Sequence, residues 1–585
     1  MSRLTKRAHL LSLALLAALA ACGGGGDKGG DGKAAGDTSG LGGTPEDGGT
    51  AVLLELGDIG KPMPVVFDTQ LDGDLMDVMF MGLTRGAWRD GRLMYLTYPE
   101  SPMALSKGWE LTGPDSAAIR YHMRGDVLWS DGKPVTSRDV VWTYDMVADP
   151  RVASPRLDYA EHIDSVTAQD DSTVTFWFDR RYADVLFYSG LPIAPSHVFE
   201  GSDPAQIRNH PAVTDPSGGR LPVTGPFLIG TWVRGERVVL ARNPKSALKP
   251  HLDQIVMRVV PEATTRLIEL QTGRADVMRP IPPDQVPALR QQAPFLRFLR
   301  EEKRNYDYIG YNPRTVEAFR DRRVREALGL AIDVNGIIRA LQLEEFATQA
   351  GGPYAPIFKD LYDPRRMAPL PYDTTRARQL LDEAGWRDAD GDGIREKNGR
   401  PLRFTLVTNS GNARRADVSQ IVQQQWRKVG VDAQLQQLEG NTMFDRLQKK
   451  NFEAVLAGWS VGLSPDLQPL WGPTSPFNFT SYDNQQAFAL FSRAQAQPTP
   501  EAANQLWKEA AALIVADRPY TWLYYIDGVS GVNERLRGIH IDTYGAYQNS
   551  WEWWIPKDRQ RAAPAAAQQA APPAGGAAAT DSGAK

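Results

Sequence analysis

The sequence predicts an α/β protein, with sheets covered by helices, and three observations lead there. Between residues 402 and 458 strand-like and helix-like runs alternate, the pattern of a sheet packed under helices. The 585-residue chain is 42% hydrophobic and 23% charged, a globular composition. The two ends are different: residues 23–50 are rich in Gly with Asp, Lys, Ser and Thr, and residues 561–585 are mostly Ala, Pro, Gln and Gly. Neither end can bury enough apolar surface to offset the entropy of ordering it. The body between them has about 505 residues, enough for two or three cores.

Taken in order, the chain opens with Arg3, Lys6 and Arg7, then an unbroken run of Leu, Ala and Ser from Leu10 to Ala21. A basic start, an apolar stretch and small residues at its end make a secretory signal peptide over 1–21. The run is too short to span a bilayer, which takes ~20 residues. Leu19-Ala20-Ala21-Cys22 resembles the bacterial lipobox, whose cysteine becomes a lipidated N-terminus. Cys22 is the sole cysteine, so no intramolecular disulfide and no Cys-rich zinc site is expected. Residues 22–51 then read as the lipidated Cys22 and a flexible tether. Gly23 in place of Asp points away from inner-membrane retention. A net charge of −4 carries no basic excess that would suggest nucleic acid.

Within the body, Thr136 with Asp139 three residues on forms a capping-box variant ahead of a helix through Val140–Met146. Val238–Ala241 and Ile255–Val260 read as strands. Asp321 precedes a helical stripe of Val324, Leu328, Ala331 and Ile332, and the arginines of 320–325 read as its solvated face. Asp373 caps a helix with Ala377, Leu380, Leu381 and Ala384 on its apolar side, stopped by Gly385. From 402 the order is a strand through Thr408, a helix carrying Val418, Ile421, Val422, Trp426 and Val429, a strand over Ala433–Leu438, a helix over Thr442–Lys450 and a strand over Ala454–Gly458.

Several motifs in sequence order resemble the family 5 extracellular solute-binding proteins, the receptors of peptide and nickel ABC importers. They are Trp129-Ser-Asp-Gly-Lys-Pro-Val-Thr-Ser-Arg-Asp-Val-Val141, Thr224-Gly-Pro-Phe227, Ala241-Arg-Asn-Pro244, Glu269-Leu-Gln-Thr-Gly-Arg-Ala-Asp276, Arg322-Arg-Val-Arg-Glu-Ala-Leu-Gly-Leu-Ala-Ile-Asp333, Ala384-Gly-Trp386 and Phe452-Glu-Ala-Val-Leu-Ala-Gly-Trp459. The resemblance implies a two-lobed clamshell of the type II-like periplasmic-binding class, in its large form with an extra subdomain in lobe one. It implies lobe one at 52–303, lobe two at 304–527 and a return segment of lobe one at 528–556, leaving the Ala/Pro-rich residues 557–585 as a tail that composition reads as disordered. Such a protein, a monomer held outside the cytoplasm on its lipid anchor, closes on a peptide or other small solute and passes it to a membrane permease. It needs no cofactor and no catalytic residue.

The resemblance also indicates where to look for ligand contacts. Trp459 ends the strand at the family's cleft, with Ser460 next to it. Peptide-binding members carry an Asp three residues after this Trp, where Gly462 stands here; Asp466 follows. Dipeptide receptors carry an Arg where Val407 stands, upstream of Asn412-Ala413-Arg414-Arg415. Asp466, Asn412 and Arg414 are therefore the candidate polar contacts, and Trp551, Trp553 and Trp554 are expected to pack the return segment. A rival reading comes from Gly458-Trp-Ser-Val-Gly462, which fits the Gly-x-Ser-x-Gly elbow of a serine hydrolase. Asp527 and His540 follow in the right order for a triad, although Pro465 reads as loop where the elbow needs a helix. A sensor without transport is a third reading on the same fold. Asp388, Asp390 and Asp392 resemble the start of a calcium loop, but Gly399 stands where its bidentate Glu belongs. None of the seven histidines has helical ligand spacing, so no metal site is expected.

Overall fold

The computed structural model describes residues 43–302, 304–541 and 543–561. The leader, Cys22, the tether up to residue 42 and the tail from 562 lie outside the described residues. The expected tether and tail are both shorter than 22–51 and 557–585, because Thr50 and Ala51 belong to a buried strand and Lys557–Arg559 form a helical turn with Arg559 paired to Glu534. No helix among the described residues is long and apolar enough to cross a membrane.

Two sheets organise the body. The first has seven strands in the order Leu296–Glu301, Gly528–Asn533, Val277–Met278, Thr50–Glu55, Gln254–Val259, Arg237–Arg242, Phe227–Val233. Thr50–Glu55 lies parallel to Gln254–Val259, with Leu53 opposite Met257. The second has six strands in the order Ala347–Gln349, Tyr520–Ile526, Tyr306–Tyr311, Ala454–Trp459, Arg403–Asn409, Asp432–Leu438. The backbone leaves the first sheet after Glu301, enters the second at Tyr306, and returns between Ile526 and Gly528. At the return, Asp527 N–H donates to Phe346 O at 2.8 Å, and the Phe346 side chain packs into a core of the first sheet.

The central strands of both sheets are buried on both faces, as their near-continuous apolar patterns require. In Ala454–Trp459, Ala454 and Leu456 enter one core with Ile309 and Tyr311. Val455 and Ala457 enter the opposite core with Tyr306 and Tyr308. A four-stranded antiparallel sheet, in the order Ser106–Thr112, Ala118–Met123, Thr173–Phe178, Ile163–Asp170, forms the additional subdomain. Its Ile119, Tyr121, Val174 and Phe176 share the large core of the first sheet with Val140 and Tyr144 of the helix Ser137–Ala148.

The helices begin where side-chain acceptors satisfy their first N–H groups. Asp373 accepts from Arg376 N–H at 2.8 Å at the start of Thr374–Glu383, and that helix ends before Gly385, whose φ is 86°. Asp321 accepts from Arg323 N–H at 2.9 Å ahead of Arg322–Leu330. Asn412 accepts from Arg415 N–H at 3.0 Å ahead of Ala413–Arg427.

Two family motifs turn out to be structural joints. Asp139 is 3% exposed and accepts from Thr136 N–H at 2.9 Å, Trp129 Nε1 at 3.4 Å, Ser196 N–H at 3.0 Å and Ser196 Oγ at 2.6 Å. One buried carboxylate thereby fixes the helix start, the Trp129 turn and the Ser196-His197 turn. His197 Nε2 adds a 2.7 Å contact to Asp131. Asp276 is fully buried, accepts Val52 N–H at 2.8 Å and meets Arg535 through two 2.6 Å bonds, tying the return segment to the first strand.

Arg325 departs from the solvated-face expectation. It is half-buried and donates to Arg518 O at 2.9 Å and also to Asp517 O and Phe319 O. A guanidinium among the terminal carbonyls of the helix Pro500–Asp517 offsets the negative end of that helix. Trp553 is buried in the first core, which also holds Val532 of the returning strand; Trp551 lies half-buried against that core.

Candidate functional site

The strands Tyr520–Ile526, Ala454–Trp459, Arg403–Asn409 and Asp432–Leu438 run the same way, and ligands of open α/β sheets lie outside the carboxyl ends of such strands. That edge carries Gly458 and Trp459, Asn409, and the beginning of the antiparallel strand at Tyr306 and Asp307. It is also the edge from which the chain passes to the first sheet.

Trp459 is half-buried and belongs to an aromatic stack. Its ring lies 5.3 Å from Phe479 at 17° and 6.4 Å from Tyr308 at 5°, and Tyr308 in turn lies 3.8 Å from Tyr520. Trp459 Nε1 reaches Tyr520 Oη at 3.4 Å. The packing holds the indole at a fixed angle while part of it stays open, the property of a rigid aromatic contact. Ser460, next along, is exposed.

Beside Gly458 lies a buried charge cluster. Asp307 is 2% exposed and meets Arg415 Nη2 at 2.8 Å, Arg414 Nη2 at 3.0 Å and Tyr524 Oη at 3.1 Å. Against the upward push of burial, the Arg415 and Arg414 guanidiniums hold its carboxyl below the ordinary range. Two guanidiniums share one carboxylate, so one positive charge is left over. Arg414 Nε has no hydrogen-bond partner among the described residues. Gly458 makes room for this cluster: a Cβ there would sit 2.2 Å from Arg415 Nη2 and from Asp307 Oδ1. Asn412 has its Oδ1 engaged in the helix cap that presents both arginines.

Farther along the same loop the charge is of the opposite sign. Asp466 accepts from Gln468 N–H at 2.7 Å and from Gln495 Nε2 at 2.8 Å, with no cation paired to it among the described residues. Across the gap stands Asp184, at the start of the short helix Val185–Tyr188, which its side chain does not cap. Burial, together with the charge of Asp466, raises Asp184 to about 6. Tyr188 and Tyr182 (5.9 Å apart, with Tyr182 stacked on His162 at 4.5 Å) wall this end on the first-sheet side. Tyr354, whose hydroxyl donates to Pro465 O, walls it on the other. Between the two ends, Arg304 Nη1 donates to Thr543 O at 2.9 Å and Nε to Val461 O at 2.5 Å. Burial lowers that guanidinium to about 10.

Asp307 had a sequence signal: an acid inside Tyr306-Asp-Tyr-Ile-Gly-Tyr311, a strand of otherwise apolar and aromatic residues, needs a cationic partner. Asp184 and Arg304 have none, because their surroundings come from segments hundreds of residues apart.

The serine-hydrolase geometry does not form. After Ser460 the backbone continues as loop to Leu467, and the next helix is only Gln468–Trp471, whereas an elbow turns directly into its helix. Asp527 is paired with Arg300. In the acidic loop, carboxylate oxygens of Asp388, Asp390 and Asp392 lie within 4.8 Å of one another and are exposed. They accept backbone N–H groups of Gly391, Asp392 and Ile394 at 2.8, 3.1 and 2.6 Å, which is the bonding of a turn.

Comparison with known proteins follows the same line. Residues 101–481 match the model described as "Bacterial extracellular solute-binding proteins, family 5 Middle". The oligopeptide-binding protein AppA of Bacillus subtilis is 27% identical over 523 residues, covering 86% of this chain and 92% of that protein. The structure of Bacillus subtilis AppA in complex with a nonapeptide superposes with a TM-score of 0.70 at 25% identity, over 88% of this chain and 100% of that one. The structure of NikZ from Campylobacter jejuni in complex with Ni(L-His) gives a TM-score of 0.70 at 22% identity, over 86% and 99%, which speaks to the fold. With the two sheets, the crossing strands and the cleft-edge Gly458-Trp459 all in place, the chain belongs to the bacterial extracellular solute-binding proteins of family 5.

Proposed function

We propose that this protein is the solute-binding subunit of a peptide-type ABC importer, held outside the cytoplasm by a lipid on Cys22 and acting as a monomer without catalysis. It captures a peptide or a similar small solute between its two lobes and presents it to the permease. The observation that carries the reading is the charge layout of the cleft edge. An uncompensated positive charge at Arg414 and Arg415 and an uncompensated negative pair at Asp184 and Asp466 flank Trp459. A solute with separated opposite charges and an apolar middle matches that order, and a peptide is such a solute. Closing the lobes removes water from these groups, so each is worth more once a counter-charge arrives. Trp459 offers its indole face, Ser460 a hydroxyl, Asp466 its carboxylate and Arg414 the charge of its guanidinium; Asn412 contributes by presenting the arginines.

Native mass spectrometry of the purified full chain, followed by calorimetry with peptides bearing free or blocked termini, tests this. Co-purified peptide, and weaker binding when either terminus is blocked, is expected. Failure of every peptide to bind would refute the reading. Ester turnover that Ser460→Ala abolishes would establish the hydrolase instead.

A further inference from the structure

The hairpin of Arg85–Arg89 and Arg92–Leu96 has its root on one side of the cleft and its tip on the other. The root is fixed. Arg85 is 8% exposed and pairs with Asp77 at 2.8 Å, while its Nε donates to Gln548 Oε1 at 3.0 Å. Gln548 Nε2 returns to Asp77 at 2.8 Å, so helix Gln70–Met79, the hairpin and the return segment are locked together. The arm is stiff, because Asp90 and Gly91 turn with φ of 52° and 78°, the two-residue geometry that matches strand twist.

The tip rests on residues 354–362, which hang from the second sheet. Trp88 meets Phe358 edge to face at 5.5 Å and packs on the aromatic core that contains Tyr354 and Trp471. Arg92 pairs with Asp360 at 2.7 Å. At Gly91 the approach is so close that a Cβ would lie 2.5 Å from Lys359 Cγ and 2.8 Å from Ile357 O. The same surface leads to the ligand loop: Phe358 lies 6.0 Å from Tyr354, whose hydroxyl donates to Pro465 O, the residue before Asp466.

We propose that this hairpin is a latch, carried by the first-sheet lobe, whose Trp88 tip clasps residues 354–362 of the second-sheet lobe and must let go when the cleft opens. Trp88 is its anchor. The exposed Arg92–Asp360 pair adds little, since solvent screens it. The latch depends on lobe closure alone and not on which solute is carried.

Hydrogen exchange and small-angle scattering on the full chain without added solute test it. In Trp88→Ala, amides of 85–96 and of 354–362 are expected to exchange together at least tenfold faster, with a larger radius of gyration. The strand Tyr306–Tyr311 should keep its protection. Gly91→Asn, which tolerates the left-handed turn but places a Cβ against Ile357 O, should reproduce the effect with Trp88 intact. It decides the matter should Trp88→Ala lose protection throughout. Faster exchange confined to 85–96, with 354–362 and the scattering unchanged, would overturn the latch. Because no solute is present, that outcome leaves the transport reading standing, and failure of peptides to bind leaves the latch standing.

Discussion

Glu55 gives the most quantitative test of this fold. It ends the first strand at the centre of the seven-stranded sheet, half-buried, and accepts from Tyr547 Oη at 2.6 Å. The nearby guanidinium, Arg279, is shared between Glu301 and Asp74 at 3.3 Å each. Burial, reinforced by the Asp74 charge, raises Glu55 to about 7 from 4.5, despite the Tyr547 bond. A raised folded-state value means that the native protein holds the proton more tightly than the unfolded chain does. The resulting stability is fully present below about 4.5 and is lost as pH climbs through about 7. Between pH 5 and pH 8 that loss amounts to about 2.5 kcal/mol. Glu55→Gln keeps an acceptor for Tyr547 and removes the titration. Denaturant unfolding of both proteins at the two pH values should therefore show the wild type losing about 2.5 kcal/mol more than the variant across that span. Parallel pH profiles for the two proteins would show that Glu55 is charged and satisfied at neutral pH, and the reasoning from burial would fail.

Asp139→Ala strands four donors in a closed turn and should cost about 3–5 kcal/mol, read as a lower Tm; a shift of a degree or two would mean that water replaces the carboxylate. Arg535→Met leaves Asp276 charged and buried without its partner, a loss of about 3–5 kcal/mol that Asp276→Asn in the same chain should partly restore in urea unfolding. Binding of a peptide with a free amino terminus should weaken as pH falls through about 6, where Asp184 takes up its proton; the sign follows because the neutral acid no longer attracts the ammonium. Asp184→Asn should flatten that profile in calorimetry, and a slope that survives the substitution would assign the titration to another group. Trp459→Ala should weaken the same peptide about tenfold or more through loss of an aromatic contact worth about 1.5 kcal/mol or more, with unchanged affinity counting against contact.

What the sequence determined by itself was whatever is coded over short spans. Period-2 and period-3.6 burial gave the strands and helices between 402 and 458, and Asp321, Asp373 and Asn412 marked helix starts, because caps and stripes involve residues within one turn of each other. The ordered motifs gave the family, yet their roles were hidden: Asp139 and Asp276 look like surface acids in sequence and are buried joints in space. The arginines of 320–325 show the same limit. Spacing alone cannot tell Arg323, which is exposed, from Arg325, which caps a helix nearly two hundred residues away. Only the tertiary structure decided the cleft. Asp307 meets Arg414 and Arg415 across more than a hundred residues, and Asp184 faces Asp466 across the lobes. Such charges are set by which strands neighbour one another, and strand order is a long-range property that no local pattern carries.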